Sequence, residues 1–245
     1  MFIFLRLLLA HFVGDFPLQL NVIFRLKNKG LRGIIPHAFI ITLCCITLSW
    51  PYLHLPQLWL FVAFIGVTHL AQDSIKLSYG TIKYSFWTYL LDQLSHVGII
   101  ALVFFTDLKN LQPPCDQSSL IVRIYSNDML IVYLIALILV TYNGLFLIRN
   151  FKITFMGKSG IHHSFEKWYG MVERALIVSA FFTGGYAFLW LPAVMLARPL
   201  LFFSWRKQLG LHKNFISFVE ISLSWIIAVI VGVALYLFQA NYSVY

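Results

Sequence analysis

Long apolar runs separated by short polar connections make up most of the chain. A helix crossing a bilayer needs about 20 mostly apolar residues. Six runs of that kind stand near residues 2–22, 34–50, 58–77, 85–106, 129–148 and 215–238. A further stretch, 171–205, is long for one such helix and short for two. Leu191-Pro192 near its middle predicts a tight hairpin of two short spans, because proline breaks the helical ladder. The pattern predicts an all-α, polytopic integral membrane helix bundle of eight spans, or seven if 171–205 crosses once. It divides into an N-terminal four-helix half, 1–108, an extracytoplasmic loop, 109–128, and a C-terminal helical half, 129–245. The apolar start runs on into His11, Asp15 and Gln19 without a small-residue cleavage site, which reads as a retained first span.

Composition agrees with that reading. The chain is 60% hydrophobic and 11% charged, against about 45–50% and about 25% for a soluble domain. Too few polar residues remain to coat a surface facing water. The net charge of +9 suggests a nucleic-acid partner only until the charges are placed. Arg25, Lys27, Lys29 and Arg32 share the first connection, while residues 51–57 carry no charge. Arg149, Lys152, Lys158 and Lys167 fall in the fifth connection, and Arg206, Lys207 and Lys213 in the seventh. Basic connections alternate with neutral or acidic ones, so the positive-inside rule puts both termini outside. The implied partner is membrane lipid, with no nucleic acid. Cys44, Cys45 and Cys115 form no CxxC framework. The Gly157-Lys158-Ser159 triplet lacks the upstream glycine of a phosphate loop, so no nucleotide is expected. His162-His163 with Glu166 reads as part of a basic loop.

The informative residues are ionisable ones inside the apolar runs. Asp15, Asp73 and Asp92 each have a histidine four positions away: His11, His69 and His96. Residues at i and i+4 share a helix face. A carboxylate near the bilayer centre costs several kcal/mol on insertion scales, so such groups face inward and find partners. Helices one and three read His then Asp, whereas helix four, running the other way, reads Asp then His. Reversed direction with reversed order puts the three aspartates at one level. The three histidines then lie one turn deeper, roughly 6 Å toward the midplane. Gln19, Gln72, Lys76 and Gln93 thicken the cluster, and His37 at the start of helix two closes one side. Imidazole and carboxylate together suit a divalent ion such as zinc, iron or manganese, as ligands or as the shell behind them. In the second half Glu173, Arg174, Arg198 and Glu220 read as structural ion pairs.

The segments AHFVGDFPLQ (10–19), PHAFI (36–40), THLAQDSIK (68–76) and LLDQLSH (90–96) resemble the bacterial membrane family DUF3307 in motif order and spacing. The likeness covers 1–106 closely. YGMVERALI (169–177) is similar to a stretch in longer members, and further on the likeness fades. Where that pattern leads one to expect a lysine-and-arginine pair in helix seven, Arg198-Pro199 stands instead. The resemblance implies a topology class and a bacterial inner-membrane location, and it carries no established reaction. The motif style is also similar to membrane-bound metal-dependent hydrolases.

Three functional readings follow. The first is a metal-dependent hydrolase of a lipid-soluble ester, amide or phosphoester. In it His11, His69 and His96 hold the metal with one or two of Asp15, Asp73 and Asp92, and a remaining aspartate acts as base on metal-bound water. The second is a proton- or ion-coupled transporter or channel using the same cluster. The third is a non-catalytic membrane scaffold.

Overall fold

The structure is a computed structural model that describes residues 1–19, 26, 30–79, 85–157, 164–205 and 215–242. Every regular element among them is helical. In chain order these are α1 (Phe2–Asp15), α2 (Leu31–Leu48), α3 (Pro56–Tyr79) and α4 (Ser85–Ala101), the last prolonged by a tighter turn through Phe105. Then come α5 (Leu120–Ser126), α6 (Asp128–Met156), α7 (Ser164–Thr183), α8 (Leu191–Trp205) and α9 (Phe215–Tyr242). Five segments, in α2, α3, α4, α6 and α9, are long and apolar enough to cross a membrane. This is a membrane protein by the length and composition of its helices. The basic positions Arg25, Lys27, Lys29, Lys83, Lys158, Arg206, Lys207 and Lys213 lie outside the described residues, as does His162-His163.

The chain divides into two compact units, Met1–Ile135 and Ala136–Tyr245. In the first, α1 packs on α2, α2 on α3, α3 on α4, and α4 returns to α1. Ile3, Leu7, Ala10, Ile41, Cys45, Leu58, Val62 and Ile100 fill the middle. At one end Phe2 of α1 meets Tyr52 from the α2–α3 turn and Tyr125 of α5 edge-on, with ring centroids 6.2 and 5.7 Å away. The start of α1, the α2–α3 turn and the segment after α4 therefore share one end, and successive helices run antiparallel. The opposite end carries the histidines and aspartates.

Hydroxyls inside these apolar helices bond back to their own backbone. Thr42 donates to Ala38 O, Thr68 to Phe64 O, and Ser74 to Leu70 O, at 2.9, 2.7 and 2.7 Å. That satisfies a polar group where no water does so.

In the second unit α9 and α8 pack on α7, and α9 also packs on the later part of α6. Three expectations change here. Helix α6 does not stop near residue 148 but runs to Met156, so Lys152 is a buried helix residue and not a loop residue. The 171–205 stretch is two helices, as the hairpin requires, but the break falls at Gly184 and Gly185, not at Leu191-Pro192. Both glycines hold positive φ, 65° and 54°, which other residues rarely adopt. Pro192 sits instead in the first turn of α8, where no intrahelical N–H is needed. The run expected over 2–22 is helical as α1 only to Asp15, because Pro17 follows and disfavours helix in the residue before it.

Candidate metal centre

Two glycines set the spacing at the polar end of the first unit. A Cβ on Gly14 would meet Ile41 Cδ1 at 2.5 Å and Ile41 Cα at 3.2 Å. One on Gly66 would meet Thr42 Oγ1 at 2.5 Å. Without side chains at these positions α1 and α3 each lie close against α2. That contact carries Asp15, just after Gly14, to His37 on α2: His37 Nε2 is 3.0 Å from Asp15 Oδ1. His37 Nε2 is also 3.7 Å from Asp73 Oδ2, and His69 Nε2 is 3.4 Å from the same oxygen.

The rings of His11, His69 and His96 form one layer. His69 stacks on His96 with centroids 4.2 Å apart, and His11 lies 5.0 Å from His96 and 5.5 Å from His69. His37 adds a fourth ring 5.2 Å from His69. A carboxylate layer lies beside them. Gln93 donates through one amide nitrogen to Asp15 Oδ2 at 3.1 Å and to Asp92 Oδ2 at 3.3 Å, tying α1 to α4. Lys76 lies three residues after Asp73, yet its ammonium bonds Asp92 Oδ2 at 2.5 Å. His96 Nε2 stands 3.5 Å from Asp92 Oδ1.

All four histidines and all three aspartates are buried. Their donor atoms fall into two groups close enough to share an ion: Asp15, His37 and His69, and His69, Asp73 and His96, each within 4.8 Å. His69 belongs to both. His37, expected at the edge of the cluster, is thus at ligand distance. His11 and Asp92 lie beside these groups without entering them. Gln19 lies past the end of α1, so the helical face of His11 and Asp15 does not extend to it. Gln72 is half-buried on α3.

Among the described residues, Nε2 of His11, Nδ1 of His37 and Nδ1 of His69 make no hydrogen bond, while Nε2 of His69 and of His96 have only Asp73 and Asp92 on their own helices, at 3.4 and 3.5 Å. Each orphaned buried polar atom costs about 1–3 kcal/mol. Three neighbouring histidines left this way form a donor set that suits a divalent cation with carboxylates beside it.

Two further polar clusters contain none of these histidines, and only the second, around Glu173, Arg174, Arg198 and Glu220, was expected from the sequence. Arg6, fully buried in α1, donates to Phe2 O at 3.1 Å and to Tyr125 O at 2.5 Å, pairs with Asp128, and lies 3.5 Å above the Phe2 ring. An arginine inside an apolar run was the available signal; its partner, assigned to a loop, was not. In the second unit Arg198 pairs with Glu173 at 3.2 Å, and Trp225 Nε1 donates to the same carboxylate at 2.9 Å. Glu220 pairs with Lys152 at 3.0 Å. Arg174 makes no direct ion pair among the described residues and reaches Glu173 through Ser224, whose hydroxyl donates to Glu173 Oε2 at 3.4 Å. A π-helical turn at Leu139–Asn143 turns out backbone carbonyls, and Arg174 donates to Val140 O, to Thr141 O at 3.2 Å and to Ser224 Oγ at 2.9 Å.

Residues 3–122 match the family described as "Protein of unknown function (DUF3307)". No curated protein and no solved structure matches the chain.

Proposed function

Through residues 3–122 this chain belongs to the DUF3307 family, and from that premise we propose that its His/Asp cluster is an intramembrane metal centre of a hydrolase acting on a lipid-soluble substrate. The observation that carries the reading is His69: its Nδ1 has no hydrogen bond among the described residues, its Nε2 faces Asp73 at 3.4 Å, and it belongs to both ion-sized groups. Zinc, iron or manganese fits the donors Asp15, His37, His69, Asp73 and His96. Such an ion, when bound, brings water's pKa toward neutrality and so supplies a nucleophile. No nucleotide enters the scheme.

The chain's own groups have distinct parts. Asp92 stands outside both groups, held by Lys76 and Gln93. Free of both groups, it is the carboxylate left to take a proton as general base. Lys76 is one-third exposed, at the rim, where it meets the anionic portion of a substrate. His11, stacked beside the donors, lines the deep wall. The scheme places the protein in the bacterial inner membrane with eight spans and the N-terminus outside, so that the cluster faces the cytoplasmic half.

Metal analysis of detergent-purified protein tests this. Wild type should carry stoichiometric metal, and His69→Ala should lose it. Metal-dependent cleavage across a panel of lipid-soluble esters, amides and phosphoesters should vanish in Asp92→Asn while metal is retained. A metal-free wild type, or a His69→Ala protein that keeps its metal, sinks the reading.

A second reading rests on an unbroken polar line from one-third-exposed Lys76 through Asp92, Gln93 and Asp15 to buried His37. Such a line suits proton or ion passage. It requires pH-dependent flux in proteoliposomes that disappears in Asp15→Asn and Asp92→Asn; no flux disposes of it.

A further inference from the structure

Among the described residues the polar cluster of the second unit holds three cations against two carboxylates. Lys152, Arg174 and Arg198 face Glu173 and Glu220, and Glu173, Arg174, Lys152 and Glu220 are buried. Lys152–Glu220 and Arg198–Glu173 use both carboxylates. Arg174 is left to the π-turn carbonyls and Ser224. The sequence offers little else: after residue 135 the carboxylates are Glu166, Glu173 and Glu220. Glu166 lies at the start of α7, two turns before Arg174. An uncancelled charge among apolar helices is costly.

Gly170 shows where the excess is concentrated. A Cβ there would stand 3.3 Å from Arg174 Nη1, 3.5 Å from Arg198 Nη1 and 3.7 Å from Arg198 Nη2. Guanidinium nitrogens of two arginines on different helices converge over a position that carries no side chain. Arg174 has three described bonds for five N–H groups, and Arg198 has one. Arg198 keeps a small exposure, 13% of its side chain. Guanidinium groups pair with phosphate through two parallel bonds, and a phosphodiester carries the single negative charge the cluster lacks.

We propose that Arg174 and Arg198 over Gly170 form an anion seat for a phosphate group, presented by an anionic lipid headgroup or as free phosphate. The seat is separate from the histidine cluster and does not depend on the hydrolase reading.

Thermal unfolding of the full chain in detergent tests it, with short-chain phosphatidylglycerol, short-chain phosphatidylcholine or inorganic phosphate added. Wild type should gain stability saturably with phosphatidylglycerol and not with phosphatidylcholine. If inorganic phosphate gives the same gain, the source is free phosphate; if it gives none, the source is lipid. Arg198→Gln should weaken the apparent affinity about tenfold or more, as losing a charge-assisted bidentate pair does. Gly170→Ala, which intrudes between the guanidiniums, should weaken it likewise, while Lys167→Gln on the exposed face should not. The proposal is overturned if neither anion stabilises wild type, if Arg198→Gln responds as wild type does, or if Lys167→Gln abolishes the response. The wild-type titration decides even if a variant fails to fold.

Discussion

Replacing Gly14 by alanine tests whether helix spacing sets the geometry of the histidine cluster. The new Cβ would stand 2.5 Å from Ile41 Cδ1 and 3.2 Å from Ile41 Cα. Carbon atoms pack at about 3.5–4.0 Å. Turning the Ile41 side chain relieves the first contact but leaves the second, which is backbone. The helices α1 and α2 must therefore part by a few tenths of an ångström, and overpacking of this kind costs about 1–3 kcal/mol. Asp15 is the next residue, and His37 lies one turn before Ile41 on α2. Their 3.0 Å contact lengthens toward the limit of a hydrogen bond. Gly14→Ala should thus lower both unfolding stability and metal content in detergent. Ile41→Val removes Cδ1 at a cost of about 0.5–1.5 kcal/mol on its own. The double variant should lose less than the sum of the singles, because the 2.5 Å contact with Cδ1 is gone, but should not recover fully, because the 3.2 Å backbone contact stays. If Gly14→Ala matches wild type, or the two losses add within about 0.5 kcal/mol, the spacing argument is wrong.

Arg6→Met leaves Asp128 without its partner and the carbonyls of Phe2 and Tyr125 without a donor. Denaturation should show a loss of about 3 kcal/mol, partly recovered by adding Asp128→Asn; no loss rules the clasp out. Arg174→Lys cannot fork between Val140 O, Thr141 O and Ser224. It should cost about 2–3 kcal/mol and speed amide exchange across 139–143, and unchanged exchange there contradicts the role assigned to the guanidinium. Chelator treatment should destabilise wild type and leave His69→Ala unmoved. The gap approaches about 4 kcal/mol when free metal had stood 1,000-fold above its Kd; equal responses count against a metal.

How much of this was legible in the sequence depends on the range of the interaction. The i, i+4 spacing put His69 with Asp73 and Asp92 with His96 on shared faces, and those contacts are short and local. The helical class followed from run length alone. Pairing across helices did not follow. Lys76 chose Asp92 on α4 over Asp73 on its own helix, and His37 reached Asp15 because two glycine contacts draw three helices together. Spacing along one helix contains neither fact. Lys152 was read as a loop cation because charge ends an apolar run; its carboxylate partner lies on α9, far along the chain. The π turn was not legible in composition: Thr141, Tyr142 and Asn143 interrupt the apolar run, but such residues do not specify a π turn.

The burial of α1 bears on how the protein is made. Arg6, His11 and Asp15 are all shielded by α2, α4 and the segment leading into α6, yet α1 is synthesised before any of them. A charge at the centre of a lone inserted helix costs about 2.5–3.5 kcal/mol; Arg6 and Asp15 stand toward the two ends of α1 and cost less, but 14 residues span too little of the bilayer to offset even that. This segment has no stable berth in lipid by itself. It must wait at the membrane surface, or beside the insertion machinery, until its neighbours arrive. Completion of the histidine cluster is then tied to completion of the four-helix unit, so a half-built chain exposes no half-built site.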